Sequence, residues 1–356
     1  MNHEICQQLR IHFSVNLVDK INPPYNISEK IISKAFRMAG IRSIFPAFTR
    51  KRLETIKSLV EPKLDKSAAL NFYHGSTPWL YVDNRTAYAI YLDCCFKTYM
   101  GVYHDSSLFN SRQLNDLYLR ETAFLKKAEA VFFSSEWSLN ETKRSYGLPG
   151  ENFFVAGLGG GINLSEPGEN TPRPYFLFVG LDFLGKGGDK VVEAFREVNK
   201  EFPQFTLKLV GEQPPVEYMN VPNVQYLGKI DKSSDEGMRK LSSLFAQAYC
   251  FVLPTSKDMT PLVLIEAAGV GCPVISMKKF GIPEMVSDNE TGILLNEEEP
   301  LVPSLISAML RFAGNSEYQK VLSRNGRKHV KDNFTWELTG DRIYAILQKT
   351  IKNSMN

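Results

Sequence analysis

The chain has 356 residues, 43% of them hydrophobic and 23% charged, and its 42 basic and 39 acidic side chains leave a net charge of +3. That length accommodates two domains with separate cores, the balanced charge argues against a concentrated nucleic-acid-binding face, and no apolar run approaches the ~20 residues of a membrane-spanning helix. Met1 to Cys6 hold neither the basic nor the apolar region of a secretory signal, so a cytoplasmic location is expected, with peripheral contact at most to a membrane.

The five cysteines, Cys6, Cys94, Cys95, Cys250 and Cys272, lack metal-ligand spacing and fit small packing groups in apolar runs. Neither a disulfide nor a bound metal is expected. The basic runs Arg50-Lys51-Arg52 and Arg324, Arg327, Lys328, Lys331 read as solvated helix faces.

In chain order, the first half offers strands at Ile11 to Val18, Ala69 to Tyr73, Tyr88 to Leu92, Val131 to Ser134 and Phe153 to Val155. His74 closes one of these runs and Asp93 another. His74 fits an acceptor contact or a hydrogen-bonded structural histidine equally well. Gly159-Gly160-Gly161 follows the last run, where glycine permits either close backbone approach to a ligand or a hinge turn. Asn163 to Pro174 is polar, rich in Pro, Gly and Glu, and reads as a linker.

The second half alternates more cleanly. Apolar runs at Tyr175 to Leu181, Phe205 to Val210, Val224 to Leu227, Cys250 to Leu253 and Val274 to Met277 are separated by helix-like stretches such as Asp189 to Phe202 and Asp235 to Ala248. The pattern predicts an α/β protein of two doubly wound, Rossmann-like domains facing a central cleft, spanning 1–165 and 166–334. Ligands of such sheets bind at the loops beyond the carboxyl ends of the strands.

After Cys250 to Leu253, Thr260 reads as a helix N-cap, Pro261 as the first helical residue and Gly271 as a left-handed stop before Pro273. The unpaired N–H groups of that first turn, framed by Thr260, Pro261, Leu262 and Val263, favour a phosphate. Glu266 is the one charge between Asp258 and Lys278. A carboxylate so placed needs a partner, and either a ribose diol or solvent and backbone would serve.

The series Phe178-Val179-Gly180, Lys186-Gly187-Gly188, Leu209-Val210-Gly211, Tyr226-Leu227-Gly228, Leu253-Pro254-Thr255-Ser256, Glu266-Ala267-Ala268 to Gly271-Cys272-Pro273, and Gly281-Ile282-Pro283-Glu284 to Thr291-Gly292 resembles the retaining family-four glycosyltransferases (glycosyl transferases group 1, GT-B fold). The resemblance implies transfer of a hexose from a UDP- or GDP-sugar to an unidentified hydroxyl acceptor. It implies no tightly bound cofactor and no metal, and that the stretch 335–356 packs back on the first domain.

It further implies that Glu266 binds the nucleotide ribose, and that Asp258, a shorter acid than the family's Glu, orients the sugar. Lys186 would meet the diphosphate, Gly228, Lys229 and Ile230 would approach the base, and Asp93 would act beside the reacting sugar. Where the family has an Arg, this chain has Leu181. Two other readings stand beside it: a GT-B sugar-nucleotide epimerase, which shares the fold but not this whole motif series, and a non-catalytic sugar-nucleotide-binding protein, which Asp258 and Leu181 would allow.

Overall fold

The computed structural model describes residues 2–16, 21–24, 27–160 and 172–355. The chain forms two compact units, Met1–Gly157 with Thr339–Asn356, and Leu158–Leu338. The expected linker lies largely outside the described residues, as does Gly161.

In the first unit, α1 (Asn2–His12), α2 (Ile27–Met38) and α3 (Arg50–Val60) precede β1 (Asn71–His74) and β2 (Tyr88–Leu92). Then come α4 (Phe96–Tyr103), α5 (Ser111–Lys127), β3 (Ala130–Phe133), α6 (Glu136–Tyr146) and β4 (Phe153–Val155). The four strands pair in parallel in the order β1-β2-β3-β4. Every residue of β2 and β3 is buried, which is why both read as unbroken apolar runs: a parallel strand is covered on both faces. Leu53, Ile56 and Val60 on one side of α3 join Ile90, Leu92, Val131 and Phe133 in the core.

The strand expected from Ile11 is not formed. Residues 11 and 12 end α1, and 17 and 18 lie outside the described residues. The alternation of Ile11, Phe13 and Val15 imitates a strand, but Ile5 and Leu9, four apart and both buried, are the apolar face of a helix.

The second unit contains β5 (Tyr175–Gly180), α7 (Gly188–Glu201), β6 (Thr206–Gly211), α8 (Val216–Met219), β7 (Val224–Tyr226), α9 (Asp235–Gln247) and β8 (Cys250–Leu253). It continues through α10 (Leu262–Gly269), β9 (Val274–Met277), α11 (Ile282–Met285), β10 (Gly292–Leu295), α12 (Leu301–Ala313), α13 (Ser316–Asn333) and the start of α14 (Trp336–Met355). Its six parallel strands run β10-β9-β8-β5-β6-β7. The order therefore reverses between β5 and β8, the topological switch point at which open sheets of this kind bind ligands. β10 was not anticipated: Gly292-Ile293-Leu294-Leu295 is four residues long and follows a polar turn, too short a run to separate from a buried loop.

On α7, Val191, Val192, Phe195 and Val198 are fully buried, and the Phe195 ring meets Phe176 of β5 edge-on at 6.4 Å. Phe195→Ala should lower the stability of this unit by about 3–5 kcal/mol, read as a lower urea midpoint; a loss below about 1 kcal/mol would mean that α7 is not anchored by this face.

Candidate functional site

The loops beyond β5 and β8 are forced together by a missing side chain. Gly187 has φ +76°, and a Cβ there would stand 2.9 Å from the Pro254 carbonyl oxygen, so only glycine lets the two loops approach this closely. As a result Lys186, after β5, places its Nζ 3.0 Å from Asp258 Oδ2, after β8. Both side chains are about three-quarters buried (27% and 20% exposed). The Thr255 hydroxyl accepts from the backbone N–H of Asp258 at 3.2 Å and of Lys257 at 3.4 Å, which shapes the loop that presents the acid.

Leu262 opens α10 and Pro261 is its N-cap, with φ −73° and ψ 102°, and makes no side-chain cap. The expected Thr260 cap is thus corrected by one position. Proline already fixes an extended entry, so no hydroxyl caps the N–H groups of Leu262 and Val263, while Leu264 N–H donates to the Pro261 carbonyl at 3.0 Å. Pro261 is buried, Leu262 and Val263 half-buried. Gly271 ends the segment with φ +86°, as its position predicts.

Glu266 lies one turn into α10 and is only 2% exposed. Its carboxylate accepts from Lys232 Nζ through both oxygens, at 2.6 and 2.7 Å. Lys232 was not singled out from the sequence. It stands two residues beyond Ile230, in a loop held by an Asx turn: Asp231 Oδ1 accepts from the N–H of Ser233 at 2.9 Å and from its hydroxyl at 2.7 Å. The following Ser234 caps α9. The Asp-x-Ser-Ser signature was the available signal.

The same loop carries Gly228, at φ +82° with open space where a side chain would be, together with exposed Lys229 and half-buried Ile230. Lys232 ties it to α10. Gly160 also comes to this place: a Cβ there would lie 3.3 Å from Ile265 Cγ2 and 3.8 Å from the Glu266 N. The second unit therefore gathers Gly160, Lys186, Asp258, Glu266 and the start of α10 around its switch point. Leu181 is 71% exposed and adds no charge.

In the first unit, His74 and Asp93 stand at neighbouring strand ends. His74 stacks on Tyr91 at 5.7 Å, its carbonyl accepts from Trp79 Nε1 at 3.1 Å, and its Nε2 is buried without a hydrogen-bond partner. Asp93 Oδ1 is buried and unpartnered as well, and Ser134 beside it partly offsets what burial does to the carboxyl. Behind them Glu121 of α5 is fully buried and accepts from Ser76 Oγ, Tyr146 OH and, at 2.8 Å, Phe96 N. It thereby fixes the loops that follow β1 and β2. Burial pushes its carboxyl up, while these donors oppose the shift.

Burial holds the His74 imidazole down from 6.5 to about 4, whereas burial pushes Asp93 up from 3.8 to about 6. Between about pH 6.5 and 4 the unfolded chain binds a proton at His74 that the folded chain refuses, so this group costs stability as pH falls. Asp93 acts oppositely between 6 and 3.8, because there the folded form holds the extra proton. Asp93→Asn should therefore steepen the acid-side loss of stability, measured as urea midpoints from pH 7 to 4; an unchanged slope would contradict the assignment.

Comparison with known proteins finds a match to a known family over part of the chain. A family model described as Glycosyl transferases group 1 matches residues 163–329. An uncharacterised glycosyltransferase of Methanocaldococcus jannaschii is 28% identical over 168 residues, 45% of this chain and 44% of that protein. The chain spans less than half the length of the first curated relatives it matches. Among solved structures, sucrose-phosphate synthase from Thermosynechococcus elongatus superposes with a TM-score of 0.68 at 20% identity, over 87% of this chain and 81% of that one. Anabaena HepE, solved in complex with UDP, gives 0.63 at 15% identity over 90% and 89%. At such identities the likeness shows the fold, which is GT-B, and within it residues 163–329 match the group 1 glycosyltransferases.

Proposed function

We propose that this chain is a family-four retaining glycosyltransferase that moves a sugar from a UDP- or GDP-sugar to a hydroxyl acceptor without a bound metal. The observation that carries this reading is Glu266, a buried carboxylate one turn behind an uncapped helix start at the switch point of a parallel sheet. The group 1 match over the same residues supports it, as does the UDP bound in a protein of the same fold.

The diphosphate would take the first turn of α10 and Lys186, a point charge suited to phosphate. Asp258 then exchanges its lysine partner for hydroxyls of the transferred sugar. The ribose gives its two O–H donors to the Glu266 oxygens that Lys232 now holds, and Gly228 leaves the base room beside the backbone. As the sugar–phosphate bond breaks, negative charge grows on the leaving diphosphate, where Lys186 and the helix N–H groups are already fixed; such preorganised donors stabilise a transition state without reorganising. The acceptor hydroxyl attacks from the face the diphosphate leaves, its oxygen bonding to the sugar carbon as the bond to phosphate breaks and its proton passing to the departing diphosphate oxygen. Neutral His74 and Asp93 are the acceptor-side groups in this scheme.

Glu266→Ala should weaken UDP or GDP binding about 10–100-fold and abolish turnover, while Asp258→Ala should keep nucleotide affinity and lose transfer. A thermal-shift screen of nucleotide sugars, with bare nucleotides as controls, followed by product detection, tests both; unchanged affinity and turnover in Glu266→Ala would remove the site. Lys232→Met should cost about 3 kcal/mol of stability, because it leaves a buried carboxylate unpaired, yet bind the nucleoside diphosphate more tightly than the parent. Weaker binding in that variant would mean that Lys232 holds the donor rather than its place.

A further inference from the structure

The second helix is turned inside out. Of the twelve residues in α2, Ser33 is buried, Glu29 and Arg37 are half-buried, and the rest are exposed. Positions 29, 33 and 37 are four apart and form one polar stripe against the protein. Ser33 Oγ donates to the Ile44 carbonyl at 2.8 Å, Arg37 Nη1 donates to Ser33 Oγ at 2.5 Å, and the Arg37 guanidinium lies over the Phe109 ring at 5.1 Å. At about 100° per residue, the opposite side carries Ile27, Ile31, Ala35 and Met38. Three of these large apolar side chains are 73%, 64% and 80% exposed. A surface helix ordinarily does the reverse, and the apolar strip continues past its end through Ile41, 53% exposed.

The charge beside that strip has one sign. Lys30 and Lys34 project along one flank and are exposed. From Ile27 to Lys51 the chain has six basic residues against one acid, Glu29, and Glu29 is engaged within the protein. This short stretch thus holds more positive charge than the net +3 of the whole chain. Among the described residues no helix is long and apolar enough to cross a membrane.

We propose that α2 is an interfacial helix that docks the first unit on an anionic lipid bilayer, with Ile27, Ile31 and Met38 among the acyl chains and Lys30 and Lys34 at the headgroups. An apolar strip flanked by lysines meets both demands of such a surface. A second copy of the chain fits less well, because a twofold contact sets each patch against itself and brings the lysines together with no acid on the strip to meet them.

The full-length protein should co-sediment with phosphatidylcholine vesicles containing phosphatidylglycerol, and far less with phosphatidylcholine alone. Ile31→Glu should weaken this binding at least about tenfold, since it removes a buried apolar group and adds repulsion. Lys30→Gln and Lys34→Gln should each weaken it about fivefold, and added salt should do the same. Because these side chains are exposed, the variants should melt as the parent does. Absence of binding to the anionic vesicles, equal binding to both vesicle types, or binding indifferent to Ile31→Glu would overturn the proposal. So would a concentration-dependent dimer that Ile31→Glu dissociates without any vesicle binding. No sugar nucleotide enters the assay, so its result stands apart from the donor site.

Discussion

β5 and β8 are neighbours in the sheet although two strands and three helices separate them in the chain, and they pair through Phe176 with Cys250 and Leu177 with Phe251. Strands on one side of that line follow in the order β5-β6-β7 and on the other as β8-β9-β10, so the connections that leave β5 and β8 diverge and open a crevice between them. Glycine governs how far it opens. Gly187 lets the two loops touch, and Gly211, at φ +121°, lies so near β5 that a Cβ would stand 1.9 Å from the Gly180 oxygen. The contacts of Lys186 with Asp258 and of Lys232 with Glu266 are available because the backbone has already brought their loops within reach.

Those two contacts share a form. An acid on or before α10 is neutralised in each by a lysine from another loop. This moderates the cost of keeping carboxylates in a poorly hydrated place. It also means that a ligand able to supply hydroxyls to the acids and anionic oxygens to the lysines exchanges one set of satisfied partners for another.

Much of the second unit could be read in advance because its signals are local. Gly271 adopts the left-handed backbone its position suggests, and the strands Cys250–Leu253 and Val274–Met277 coincide with their apolar runs. Glu266 could be seen to need a partner, but not which one. Lys232 reaches it across thirty-four positions, and long-range pairing leaves no periodic trace. The Thr260 cap was off by one because proline tolerates both sides of a helix start. In the first unit the alternation at Ile11 to Val15 mimicked a strand, while the clamp on Glu121 draws Ser76, Phe96 and Tyr146 from three separate segments. The polar inner stripe of α2 likewise depends on what lies beneath it, since a hydrophobic pattern alone does not say which side faces the protein.

The last helix begins in the second unit, and from Thr339 it belongs to the first. There Gly340 receives Gln8 so closely that a Cβ would sit 2.7 Å from its Cβ, His12 Nε2 lies 3.2 Å from Asp341, and Arg342 donates to the Ala156 carbonyl at 3.1 Å. These contacts join segments that the whole second unit separates in the chain. Domains generally fold as they emerge, the N-terminal one first, but α1 must wait for α14 until the ribosome has delivered the entire second unit. The first unit is therefore completed only after the second has been made, and until then the α1 surface that meets α14 stays uncovered.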